Sequence, residues 1–190
     1  MKTYFLLALI ILITSCSSYN GNAVAYYKYT LKPEEAEKLD GIYELNAHKV
    51  YQSNGLIDSC AVAPNDILNG NLRMIAINDS ISKYQMRIQT LGSNQIKSTL
   101  IKNGDVVDSS LIKGKITKKG MFHFRNNPVD CYGIPYILGG CSGSKTRIGI
   151  DYSGNLIVQN VSYSGGALLL LIGDGRSYTS AYNFKKIKSE

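Results

Sequence analysis

Apolar and polar residues alternate with period two over much of this chain. Tyr84, Met86 and Ile88 alternate with Gln85, Arg87 and Gln89, Phe122 and Phe124 flank His123, and Ile148, Ile150 and Tyr152 alternate with Arg147, Gly149 and Asp151. Successive side chains of an extended strand point to opposite faces, so each segment predicts a strand with one apolar and one wet face. Clusters of turn-forming residues separate such segments. Ser153-Gly154-Asn155, Ser164-Gly165-Gly166 and Gly173-Asp174-Gly175 are expected hairpin connections between strands at 156–163, 167–172 and 178–187. Further strands are expected at 42–45, 72–78, 96–102, 106–112 and 115–118. About nine or ten short strands in succession suggest an all-β antiparallel meander that closes as a barrel or sandwich. One short helix is expected over 32–40: Pro33 suits a first helical position, Glu34 and Glu35 the first turn, Lys38 the last, and Gly41 can end it. It would lead into the domain or plug one end of it.

The N-terminus follows a different pattern. Lys2 precedes an apolar run over residues 4–13, and small polar residues follow directly. That is the layout of a secretion signal. As a helix the run rises about 15 Å, half of the roughly 30 Å hydrocarbon core, so it is too short for a stable span. The longest later run, 168–172, lies among glycines and reads as a strand.

Ile13-Thr14-Ser15-Cys16 resembles the lipobox of bacterial lipoproteins. The resemblance implies cleavage before Cys16, diacylglycerol on the Cys16 sulfur and acylation of the new amine, enough chains for stable anchoring to a membrane. Residues 17–22 form a short polar tether without an acidic residue. By resemblance to lipoprotein sorting rules, that absence favours the outer membrane, facing the periplasm. The expected organisation is thus a signal at 1–15, a lipidated tether at 16–31 and one domain at 32–190.

Charge changes the picture little. The chain carries a formal +7, which falls to +6 when Lys2 leaves with the signal. The surplus is scattered along the sequence, with small clusters at Lys118-Lys119 and Lys185-Lys186-Lys188. Such scatter is ordinarily a solvated surface, with attraction to anionic lipid or glycan as the functional alternative. No recognition motif for nucleic acid accompanies it.

Candidate chemistry is sparse. Residues 139–146 superficially resemble a phosphate-binding loop, but Ser144 stands where that motif needs a glycine before Lys145, and the next segment has a strand pattern. A glycine-rich hairpin loop is expected there instead. His48 and His123 have no Cys or His at metal-ligand spacing, and no Gly-x-Ser-x-Gly elbow is present. Neither enzymatic activity nor a cofactor is expected. After Cys16 is consumed, Cys60, Cys131 and Cys141 remain in an oxidising compartment. The expected disulfide is Cys131 to Cys141, since Pro135 and Gly139-Gly140 let the chain reverse between them; the alternative is three buried thiols. Tyrosine is abundant, at fourteen residues against four Phe and no Trp, which suits strands with one wet face and also binding surfaces. Tyr132, Tyr136, Tyr152 and Tyr163 are candidates for a tyrosine patch.

Residues 39–45 resemble the Gly-x-Trp opening motif of lipocalins, with Gly41 and Tyr43 at the motif positions, and 178–188 resembles the strand that returns beside it. Tyr43 stands for the family's Trp, and Lys185 or Lys186 for its Arg partner. The resemblance is to small lipocalin-like lipoproteins of Gram-negative, Bacteroidetes-type envelopes, and it implies a lipocalin-like β-barrel. In an open barrel the apolar strand faces, Tyr84, Met86, Ile88, Phe122, Phe124, Ile148, Ile150 and Tyr152, would line a lumen for a small apolar or amphipathic molecule. In a filled barrel the same residues would be core. The protein would then act through an envelope protein partner as a structural, interaction or inhibitor-type lipoprotein.

Overall fold

A computed structural model describes residues 22–51, 57–59, 84–125, 129–134, 138–168 and 172–187. Cys16, Cys60, Tyr136, the signal and the expected strand at 72–78 lie outside the described residues.

The described chain is antiparallel β-sheet with two short helical segments, α1 (Asn22–Ala25) and a 3-10 helix (Pro33–Leu39). The first strands are β1 (Gly41–Glu44), β2 (Lys49–Tyr51) and β3 (Ile57–Ser59), followed by β4 (Tyr84–Thr90), β5 (Gln95–Lys102) and β6 (Asp105–Ile116). Then come β7 (Phe122–Phe124), β8 (Val129–Ile134), β9 (Leu138–Ile150), β10 (Leu156–Leu168), β11 (Ile172–Phe184) and β12 (Lys186–Ile187). Hydrogen bonding runs β12-β1-β4-β5-β6-β7-β9-β10-β11-β2-β3, with β8 beside β9. Both ends of that path fall on consecutive pieces of chain. β12 follows β11 after Lys185 alone and pairs with β1, while β2, four residues after β1, pairs with β11. The sheet therefore curls back on itself as a barrel-like all-β body.

Alternation along the strands sets the inside. Met86 and Ile88 of β4, Ile96 and Leu100 of β5, Phe122 and Phe124 of β7, Ile148 and Ile150 of β9, Leu156 and Val158 of β10 and Phe184 of β11 pack into one buried cluster. The 3-10 helix adds Ala36 and Leu39 to that cluster and touches β4, β6 and β9, strands from opposite parts of the ring, so it closes one end. Pro33 starts it, and the Glu35 carboxylate accepts from the Lys32 backbone N–H at 3.1 Å, satisfying one of the free donors at a helix start. Tyr43, buried below it, donates its hydroxyl proton to the Leu39 carbonyl at 2.8 Å.

The opening strand meets the closing one through Lys186. Its ammonium lies 5.8 Å from the centre of the Tyr43 ring and donates to the Asp40 carbonyl. Gly41 has no side chain at the point where the Lys186 stem crosses, and a Cβ there would collide with Lys186 Cε.

Three expectations need correction. The glycine clusters at 139–143, 164–166 and 173–175 are not turns: all lie inside the long strands β9, β10 and β11, paired continuously down to Leu138, Leu168 and Ile172. Glycine suits them because strands approach closely there. A Cβ on Gly140 would sit 2.7 Å from the Gly165 carbonyl oxygen, and one on Gly166 3.0 Å from that of Gly139. The expected strands at 106–112 and 115–118 are one strand, β6, running through Gly114, where a Cβ would strike the Phe122 ring. Tyr152 is not a strand residue. It sits in the turn after β9 and is 75% exposed.

Candidate functional site

An open barrel would hold its ligand in the interior. Met86, Ile88, Phe122, Phe124, Ile148 and Ile150 do converge, as the alternation predicts, but each is between 0% and 6% exposed. Tyr84 packs half-buried at the margin of the same cluster. A space large enough for water beside any of these side chains would register as exposed surface. At Ile88, Ile96, Ile148, Leu156, Val158 and Phe184 the exposure is zero. At these positions the apolar side chains have no water-sized space beside them. Tyr152 lies outside, because Asp151 folds its turn over: the carboxylate accepts from the backbone N–H groups of Ser153 and Asn155, both at 2.8 Å, and from Asn183 Nδ2 at 3.0 Å. The Tyr152 ring meets Tyr29 edge-on at 6.3 Å.

The outer wall over β7, β9 and β10 was expected to be wet, yet it is largely covered. Arg147 is 1% exposed and its Nε donates to Gln159 Oε1 at 2.7 Å. The cover is the N-terminal segment. Val24 of α1 packs on Met121, Ile157, Ala181 and Tyr51 with Tyr27 alongside, a second cluster on the outside of the sheet. Tyr27 and Tyr51 stack at 5.1 Å. The backbone N–H groups of Tyr29 and Leu31 then donate to the carbonyls of Ile150 and Gly120. The sequence signal for this cover was the pair of non-alternating apolar residues, Ile157 and Met121, on a face that should have been polar.

On this wall the register sets Lys115 beside His123 and His123 beside Arg147. Burial is the main cause that pushes His123 down to about 4, and the positive charges of Arg147, Lys119 and Lys115 act in the same direction. Lys28 is lowered by burial and then by Arg147 and Lys119, and its ammonium donates to the Lys119 carbonyl at 2.6 Å. His48 lies at the bend between β1 and β2, on another part of the ring, so the two histidines do not form a joint site. Among the described residues no three His, Cys, Asp or Glu side chains gather as metal ligands.

The far ends of β8 to β11 form a ribbon that leaves the body. Cys131 and Cys141 are directly opposed on β8 and β9 and are joined by a disulfide. Tyr132 crosses over Gly140, where a Cβ would meet its hydroxyl at 2.8 Å, and stays 68% exposed; Tyr178 on β11 is 73% exposed. Between them the register places Ser142 beside Ser164 and Ser144 beside Ser162, on the face that continues the inside of the barrel. Alternation puts Tyr163 on the other face, where Lys145 lies 5.5 Å from its ring.

No known protein family, curated protein or solved structure matches this chain.

Proposed function

We propose that the mature chain is a lipid-anchored, non-enzymatic envelope protein that acts through a protein partner, held by an acylated Cys16 at the periplasmic side of the outer membrane. What carries the reading is the interior: the side chains that would line a lumen form one cluster without water-sized space beside its centre. A filled barrel leaves only its surface for recognition. The ribbon is the part whose exposed aromatic residues are not needed for the core, and tyrosines with an apolar ring and polar tip favour protein contact. The lipocalin-like reading is supported by the Gly41, Tyr43 and Lys186 cluster, in which a cation stacks over the aromatic residue of the opening strand.

The test is chemical crosslinking in intact cells, then isolation from native membranes and mass spectrometry of bound proteins and small molecules. A stoichiometric protein that is lost from a Tyr132→Ala, Tyr178→Ala double variant supports the proposal. A stoichiometric apolar molecule with no protein overturns it in favour of a ligand-carrying barrel. The address is tested separately: palmitate labelling and partition into detergent should both vanish in Cys16→Ala.

A further inference from the structure

The basic residues that look scattered along the sequence are gathered by the fold. From Ser109 to Val129 the chain has five Lys or Arg residues, Lys113, Lys115, Lys118, Lys119 and Arg125, and no Asp or Glu. All five are exposed. Lys115 points outward because Gly114 and Ile116 face the core-lining Phe124 and Phe122. Arg125 comes beside Lys113 through its backbone N–H, which donates to the Lys113 carbonyl at 2.8 Å. Lys118 and Lys119 project from the turn that Gly120 closes onto Thr117. Lys28 joins them from the N-terminal segment. The Asp151 carboxylate, on the residue bridged to Lys28, is held by Ser153, Asn155 and Asn183.

The same wall receives the tether. Val24 is seated on Met121 and Ile157, and the chain between Val24 and Leu31 runs along the edge formed by Ile150 and Gly120. Asn22 lies six positions after Cys16. Fully extended those six steps span about 20 Å, which bounds how far the start of this covering segment can lie from a lipid surface that holds an acylated Cys16.

We propose that this wall is the membrane-facing side of the protein, and that Lys113, Lys115, Lys118, Lys119 and Arg125 engage the phosphate headgroups of anionic phospholipids. The proposal rests on the Cys16-anchored reading. Two features converge on it: a patch of one sign among the described residues, and the short tether that ends beside it; the neighbouring cations also lower His123 and Lys28, second to burial. Basic residues near an anionic bilayer add attraction that fades within a Debye length, about 8 to 10 Å at physiological salt. The anchored tether lets the wall come within that range, and the attraction then holds it there. The outcome is an oriented protein, with the ribbon directed along β9 away from the tether.

The test uses the acylated mature protein reconstituted on vesicles of phosphatidylcholine alone or with about 30% phosphatidylglycerol, where anionic charge attracts basic segments. Flotation with neutral vesicles reports the anchor. Labelling of lysines by a membrane-impermeant amine reagent reports the wall. The expected result is a labelling rate at Lys113, Lys115, Lys118 and Lys119 at least about threefold lower on the anionic vesicles, restored by high salt, with Lys49 and Lys185 unchanged. A Lys115→Glu, Lys118→Glu, Lys119→Glu variant should still float and melt as before, yet lose the difference at Lys113. Equal labelling on both vesicles, or an equal fall at Lys49 and Lys185, overturns the proposal while leaving the anchor intact. Failure to float on neutral vesicles overturns the anchor itself.

Discussion

Strands β9, β10 and β11 belong to two regions that are held together differently. At one end, Ile148, Ile150, Leu156, Val158 and Phe184 enter the barrel core and are almost wholly removed from water. At the other, none of the residues 129–133, 139–144, 162–166 and 175–179 belongs to either apolar cluster. The ribbon is built instead from a continuous backbone ladder, glycines that let strands close on one another, and the Cys131–Cys141 disulfide. Burial of apolar area stabilises the first region, and covalent and steric constraint acts in the second. One strand can therefore carry a rigid body and an exposed working surface without a break in its hydrogen bonding.

The largest contrast between the regions should come from truncating an aromatic in each. Phe122→Ala removes a core ring, 1% exposed, and should cost about 3 to 5 kcal/mol in denaturant unfolding, whereas Tyr132→Ala in the ribbon should stay within about 0.5 kcal/mol. Equal costs would erase the distinction. Next comes the disulfide. Replacing Cys131 and Cys141 together by Ala releases a short loop worth about 3 kcal/mol in the chain-entropy model. Hydrogen exchange should then speed up for amides of 130–143 while those of β4 and β5 keep their protection.

A finer test sits within the ribbon. Gly140→Ala places a methyl 2.7 Å from the Gly165 carbonyl oxygen and should cost about 1 to 3 kcal/mol. At Gly175 an added methyl meets nothing within 4 Å, and Gly175→Ala should be neutral or slightly stabilising. The smallest effect is the pH response of the covered wall. His123 is held at about 4 against an ordinary 6.5, so the unfolded chain binds the extra proton first. Its contribution is fully present above about pH 6.5 and is lost as pH falls toward 4. Thermal melts between pH 7 and 5 should show this decline in the wild type and a shallower one in His123→Gln.

The body was legible in the sequence because alternation and burial coincide there. Met86 and Ile88, Phe122 and Phe124, and Ile148 and Ile150 face inward as period two requires. The ribbon was not, because Gly and Ser have strong turn preferences and no alternation to set against them; only the cross-strand pairing of Gly165 with Cys141 and Gly175 makes strand the better solution. Arg147 read as solvent-facing since its strand shows only one covered face, and the second cover comes from residues 24–31, more than a hundred positions away. The basic wall was invisible for a related reason. Lys28 and Lys119 are distant in sequence and meet only when the N-terminal segment crosses Gly120. Tyr152 continues the alternation to a position two residues past the strand, where Asp151 turns the chain.

The central claim is that the barrel is filled by its own side chains, and Ile148→Glu tests it most directly. Ile148 is fully buried among Phe122, Val158 and their neighbours, so a carboxylate there has no water to meet. In circular-dichroism melts at neutral pH, the account predicts loss of the cooperative transition in this variant. A variant that melts within a few degrees of the wild type would mean that position 148 faces an open, hydrated lumen. That result would contradict the account and restore the ligand-binding barrel.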